Sequence, residues 1–174
     1  MSFKPKQISL LPAFVAVALL IAAFAVGCNP FAPGLSDVAV ENEILKDQHY
    51  VSGVFDNFRY AYKNKDTSVY GNLLSDDFTF TYYDNGLPLS WGREQDMRST
   101  FGMFQAAQSL DVIWDDVYKE FGDTLVKDIT RGFYLNIVFT PTDVIYLNGR
   151  ATFRLRRAST ADVWRISQWW DEQG

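Results

Sequence analysis

The sequence predicts an α+β domain with its helices first and a run of antiparallel strands after them. Two observations carry this. Val51, Val54, Phe55, Phe58, Ala61 and Tyr62 recur at helical spacing and form one apolar stripe. From Ser109 onward the period falls to two: Leu110, Val112 and Trp114, then Phe133, Leu135, Ile137 and Phe139, then Ala151, Phe153 and Leu155 each mark one face of a strand.

The elements follow in order. The first helix is expected to begin between Asp37 and Asn42 and to run to Asn64, with Glu41 and Glu43 suiting the positive end of its dipole. Asp66 is placed to cap a short second helix with Val69, Leu73 and Leu74 on its apolar side, and Ser75-Asp76-Asp77 ends it. Phe78, Phe80 and Tyr82 then alternate with Thr79, Thr81 and Tyr83 as a strand. Asp84-Asn85-Gly86 reads as a tight hairpin turn, because such a turn needs positive φ at its centre. The return strand, Leu87 to Trp91, contains Pro88 and belongs at an edge. A third helix over 93–107 has Met97, Phe101 and Phe104 on one side. Gly132 marks a bulge or bend, Pro141-Thr142-Asp143 a turn, and Asn148-Gly149 a second tight turn or a bulge, of which the bulge is favoured. The last strand, Val163 to Trp170, has Trp164, Ile166 and Trp170 in phase.

Residues 1–27 stand apart from this fold. Lys4 and Lys6 precede an apolar run from Leu10 to Val26, and Ala25-Val26-Gly27 leads into Cys28, the single cysteine. That is the shape of a secretory signal, and it resembles a bacterial lipobox, with Ala25 where the pattern usually has Leu. The resemblance implies cleavage before Cys28 and lipid on its thiol. Several acyl chains at ~0.8 kcal/mol per buried CH₂ would hold the protein on a membrane. Asn29, rather than Asp, implies outer-membrane attachment facing the periplasm. Residues 28–40 then form the lipidated Cys and a Pro/Gly-bearing tether, and 41–174 the domain.

Loss of the leader leaves 147 residues and, with Lys4 and Lys6 gone, takes the formal charge from −5 to −7. An acidic chain of this kind argues against general nucleic-acid binding, which requires neutralised phosphates. With no second cysteine, packing alone must hold the domain, and 16% aromatic residues supply the material.

Within 41–174, the order of elements resembles the nuclear transport factor 2-like (NTF2-like) superfamily, in its SnoaL-like branch. So do the Asp76-Asp77-Phe78 entry to the first strand, the Gly92-Arg93-Glu94 start of the third helix, and the closing stretch around Trp164-Arg165-Ile166. The resemblance implies a curved, mainly antiparallel sheet wrapped as a cone around a long helix, with a pocket at the wide end. It also implies dimerisation through the outer face of the sheet. Members include isomerases, cyclases and dehydratases as well as domains that only bind, so fold does not fix function.

Enzymes of the superfamily place an Asp or His as general base beside a Tyr or acid that stabilises an oxyanion. The single histidine, His49, precedes the stripe and reads as a surface or helix-packing residue. No His/Cys/Asp spacing suits a metal, and no Gly-rich phosphate loop implies a cofactor. Tyr62, Tyr82, Asp128, Asn136 and Gln168 each interrupt or edge an apolar face and are expected to line the pocket. For catalysis, Asp128 is the candidate base, with Tyr82 or Tyr62 donating to the oxyanion. Arg150, Arg154 and Arg156 form a cationic stripe, read as a solvated face paired with acids. The function expected is a non-catalytic domain of the cell envelope that binds a small ligand or a protein. The alternative is a cofactor-free isomerase, cyclase or dehydratase acting on a small apolar substrate.

Overall fold

A computed structural model describes residues 45–172. The leader, Cys28 and the tether lie outside the described residues. Helix α1 (Val51–Asn64) is followed by α2 (Thr67–Leu73), strands β1 (Leu74–Asp84) and β2 (Leu87–Gly92), and helix α3 (Arg93–Ala106). Four strands complete the domain: β3 (Ser109–Gly122), β4 (Val126–Thr140), β5 (Asp143–Arg156) and β6 (Arg165–Glu172). One six-stranded sheet runs β2-β1-β6-β5-β4-β3, antiparallel except where β1 meets β6. This is the α+β roll that the sequence predicts, with helices on one face of the sheet.

The core forms where α1 lies against the inner face. Val54, Phe55, Phe58, Ala61 and Tyr62 are buried there, as their spacing predicts, against Ile129, Phe153, Leu155 and Ile166. The rings interlock: Phe58 lies 5.2 Å from Trp114, 5.6 Å from Trp169 and 6.3 Å from Phe153, mostly edge to face. Asp66 caps α2 as expected, its carboxylate accepting from the Val69 N–H at 2.9 Å.

Several expectations need correction. Residues 45–50 are turns, so α1 starts at Val51. Gly53 permits the approach, since a Cβ there would lie 2.1 Å from the Asp47 carbonyl oxygen. Ser75-Asp76-Asp77 does not separate helix from strand. β1 already begins at Leu74, because Leu74 pairs with Ile166 and Arg156 holds Asp77; sheet pairing overrides the low strand preference of the acids. Phe101 is exposed, and the buried side of α3 is instead Asp96, Thr100 and Phe104. The helix is turned so that Asp96 meets buried donors.

Asn148-Gly149 is neither turn nor bulge. β5 runs through it in regular pairing with β4, and Gly149 leaves room for the Phe133 ring. β3 carries two extra residues: Tyr118 between the Val117↔Arg131 and Lys119↔Thr130 pairs, and another where Asp115 and Asp116 fall between the Trp114↔Phe133 and Val117↔Arg131 pairs. Gly132 accommodates the latter, since an added Cβ would lie 2.4 Å from Asp115 Oδ2. In β6 the register shifts between Leu155↔Ile166 and Arg154↔Gln168, so Trp169 rather than Trp170 joins Ile166 on the inner face. Trp164 is buried as expected, although it precedes the strand.

Candidate functional site

The sheet divides the five expected pocket residues. β4 places Ile129 and Ile137 in the core, so Asp128 and Asn136 fall on the opposite, outer face. Gln168 pairs with Arg154 on that same outer face. Only Tyr62 and Tyr82 lie inside. The expected pocket combining all five therefore does not exist, because alternation along β4 sends Asp128 and Asn136 away from the helices. The assignment of Asp128 and Tyr82 as one catalytic pair fails for the same reason.

Inside, the polar centre is one that the sequence reading missed. Asp96 is 5% exposed and accepts two hydrogen bonds, from Tyr70 Oη at 2.6 Å and from Trp91 Nε1 at 3.0 Å. Burial raises its pKa above the ordinary carboxylate range, and the two donors partly offset that shift. Tyr70 is fully buried, and desolvation pushes its hydroxyl well above the usual tyrosine value. Tyr62 stacks on Phe58 at 4.6 Å and lies 5.8 Å from Tyr70; burial raises its pKa as well. The signal for this cluster was Asp96, Thr100 and Phe104 at four-residue spacing, with Tyr70 on the preceding short helix.

At the inner rim, Tyr82 lies 5.4 Å from Trp91 and 6.0 Å from Phe80. The parallel pairing of β1 with β6 matches Phe80 with Trp169 and Thr81 with Trp170, and Tyr82 and Asp171 each follow that last pair. Asp171 pairs with the buried Ala151, which puts it on the inner face. It has no ion pair or side-chain hydrogen bond among the described residues, and burial raises its pKa. The neighbouring Trp169 Nε1 is buried and also without a partner.

The outer face carries an ordered polar network. Arg154 grips Asp128 through two bonds of 2.7 Å, reaches Gln168 Oε1 at 3.0 Å and lies 5.3 Å over Trp170. Asp128 in turn raises the Arg154 pKa. Thr130 and Thr152 share a hydrogen bond of 2.7 Å, and Thr152 donates to Glu172. Arg156 pairs with Asp77, and Arg150 lies 4.2 Å over the Tyr118 ring. Arg154 and Arg156 are thus paired with acids, as expected, whereas Arg150 lies over a ring and makes no ion pair among the described residues. Beside the network, Asn136 faces Asp111 across the strands, and each has a buried side-chain oxygen without a donor.

Three concavities open on this outer face. One of about 570 Å³ is lined by Asp115, Tyr134, Arg150 and Glu172. A second of about 240 Å³ is lined by Asp111, Ile113, Asn136 and Tyr146. The third, of about 330 Å³, is lined by Arg154, Arg156 and Gln168. None of the three is lined by Asp96, Tyr70, Tyr62 or Tyr82. His49 is exposed, as expected, and its ring bonds Asp47 at 2.6 Å and the Ala161 carbonyl at 3.0 Å. The Asp47 contact raises its pKa.

No protein-family model matches the chain, and no curated protein matches its sequence. Solved structures do match its fold. A scytalone dehydratase candidate from Novosphingobium aromaticivorans superposes with a TM-score of 0.62 at 10% identity, over 78% of this chain and 85% of that one. A dehydratase candidate of the NTF2-like family from Streptomyces avermitilis gives 0.56 at 18% identity, over 72% and 94%. A calcium/calmodulin-dependent protein kinase type II association domain candidate from Thiobacillus denitrificans gives 0.53 at 18% identity, over 70% and 92%. The chain has the NTF2-like fold.

Proposed function

We propose that this chain is an envelope-tethered, non-catalytic binding domain that works through the outer face of its sheet. One observation carries the reading. The interior is filled by interlocked rings around Phe58, and both oxygens of its deepest carboxylate, Asp96, are already bonded. With one donor on each oxygen and packed rings around it, this acid is held as a structural acceptor for Tyr70 and Trp91, away from any open cavity. The outer face, by contrast, holds three concavities and a fixed ion-pair network, and exposes Ile113, Tyr118, Tyr134 and Tyr146; a further concavity of about 560 Å³ lies on the helix side, beside Met97 and Phe101. Aromatic side chains beside a locked arginine are what protein interfaces are enriched in. The tether rests on Ala25-Val26-Gly27-Cys28.

Photo-crosslinking in the native cells tests this. A benzophenone side chain in place of Tyr146 should give one discrete adduct that Arg154→Glu removes, whereas the same probe in place of Phe101 should give none. Equal labelling from both positions would refute a dedicated outer face.

A second reading follows from Asp171. An unpartnered inner-face carboxylate with a raised pKa, on the strand next to the one that carries Tyr82, could form an acid–base pair with that tyrosine at the rim of the cone. On this reading the chain is a dehydratase or isomerase for a small apolar substrate. Structural neighbours include both dehydratase candidates and an association domain, so the fold does not choose between the two. Loss of turnover in Asp171→Asn, with unchanged stability, would establish the second reading.

A further inference from the structure

At the end of the sheet where β5 turns into β6, Arg156, Arg157 and Arg165 line one concavity of about 500 Å³ together with Ser75, Asp162 and Val163. Their arrangement is electrostatically incomplete. Arg156 and Arg165 stand directly opposite each other across the two strands, and like charges so placed destabilise a strand pair. Asp77 compensates Arg156. Arg157 and Arg165 make no ion pair among the described residues; they donate only to carbonyl oxygens. Arg157 Nε bonds the Thr124 carbonyl at 2.7 Å and its Nη1 the Thr160 carbonyl at 3.3 Å, and Arg165 Nη1 bonds the Asn72 carbonyl. Asp162, the acid in the wall, accepts from Ser159 at 2.7 Å and keeps its charge, so Arg157 and Arg165 together leave the wall with a surplus of one positive charge.

The guanidiniums are also held in place. Arg157 lies 4.4 Å over the ring of the buried Trp164, a stacking that fixes its plane. Each arginine has five N–H donors, so the carbonyl bonds leave donors over on both. Fixed, forked donors with surplus positive charge match a tetrahedral oxyanion, and little side-chain freedom remains to be lost on binding.

We propose that this concavity binds a phosphate-type oxyanion between Arg157 and Arg165. The anion supplies the negative charge that Arg157 and Arg165 lack. The chain enters the domain at this same end, where the Trp164 N–H donates to the Gln48 carbonyl at 2.9 Å and the His49 ring reaches the Ala161 carbonyl. A phospholipid headgroup is therefore one source of the oxyanion, and free phosphate is the other. The headgroup source alone rests on the Cys28 anchor.

The test uses the full chain in neutral detergent micelles, read by the NMR signals of the arginine Nε–H groups and the Trp164 indole. Inorganic phosphate is titrated against chloride at matched ionic strength. Saturable shifts confined to Arg157, Arg165 and Trp164 are expected. Binding should weaken about tenfold in Arg165→Gln and also in Arg165→Lys, which keeps the charge and loses the fork. Arg165 is exposed, so both variants should stay folded, and Arg165→Gln, which relieves the charge facing Arg156, should melt no lower than wild type. A second arm adds phosphatidylglycerol or phosphatidylcholine to the micelles. A response to phosphatidylglycerol alone among the lipids assigns the headgroup. A response to phosphate with neither lipid assigns a free oxyanion and removes the membrane role. Phosphate shifts no larger than those of chloride, or undiminished in Arg165→Gln, would overturn the site.

Discussion

Tyr70→Phe isolates the buried centre, because it removes one hydroxyl and nothing else. That hydroxyl donates to Asp96 Oδ2 at 2.6 Å from a fully buried ring. Without it Asp96 keeps only the Trp91 indole as a donor, in surroundings where water does not replace the lost bond. A hydrogen bond to a charged group contributes ~1.5–3 kcal/mol, so a loss of about 2 kcal/mol is expected at neutral pH. For a domain of this size that corresponds to a melting midpoint roughly 6–10 °C lower. The pH dependence sharpens the test. Burial raises the Asp96 pKa in the folded state, so the native state binds the proton more tightly than the unfolded one. Stability from this group is therefore greatest below the unfolded value of ~3.9 and is lost as pH rises through the raised folded value. The Tyr70 donor serves the ionised form, so the gap between Tyr70→Phe and wild type should narrow toward about 1 kcal/mol in acid, where Asp96 is protonated. Urea unfolding followed by tryptophan fluorescence at neutral and acid pH measures both numbers. A variant within 0.5 kcal/mol of wild type, a margin of roughly surface-mutation size, would show that the Tyr70–Asp96 bond does not form.

Other sites give independent tests. Asp96→Asn should flatten the acid-to-neutral slope of stability while leaving far-UV circular dichroism unchanged; an unaltered slope would place the responsible group elsewhere. Gly53→Ala should destabilise by about 1–3 kcal/mol despite alanine's better helix propensity, because its Cβ meets the Asp47 carbonyl; a stabilised variant in thermal unfolding would mean that the 45–50 turn moves freely. Trp164→Ala should cost ~3–5 kcal/mol in the same assay by emptying a buried site, and no change would place Trp164 in solvent. Cys28→Ala should yield an unlipidated precursor by mass spectrometry, whereas an intact Met1 in the membrane-bound wild type would refute cleavage.

Periodicity made the fold legible. The α1 stripe and the alternating runs of β3, β4 and β5 placed nearly every core residue on its correct face, because one solvated and one buried side leave a clear signature. The short elements were read poorly where pairing partners decide the outcome: Ser75-Asp76-Asp77 lies within a strand because Leu74 before it and Thr79 after it both pair with β6. The site was less legible. Trp169 and Trp170 exchanged faces through a register shift at Ser167 that leaves no mark in composition. Asp128, Asn136 and Gln168 broke apolar patterns, as the reading required, yet from the outer side of the sheet. Asp96 escaped because a carboxylate in the first turn of a helix has a sufficient surface explanation in the helix dipole. Its partners come from α2 and β2, at sequence separations that no local pattern reports.

The central claim is that the interior of the cone is closed and the outer face is where this protein binds. Five tryptophan indole signals report on it, since Trp91, Trp114 and Trp169 line the interior, Trp164 is buried near the β5–β6 turn and Trp170 lies on the outer face. The measurement is a ¹⁵N–¹H spectrum of the indoles during titration with a set of small phenols and cyclic ketones. The account predicts shifts at Trp170 and none at Trp91 or Trp169. Saturable shifts at Trp91 and Trp169 would contradict it and establish a ligand site within the cone.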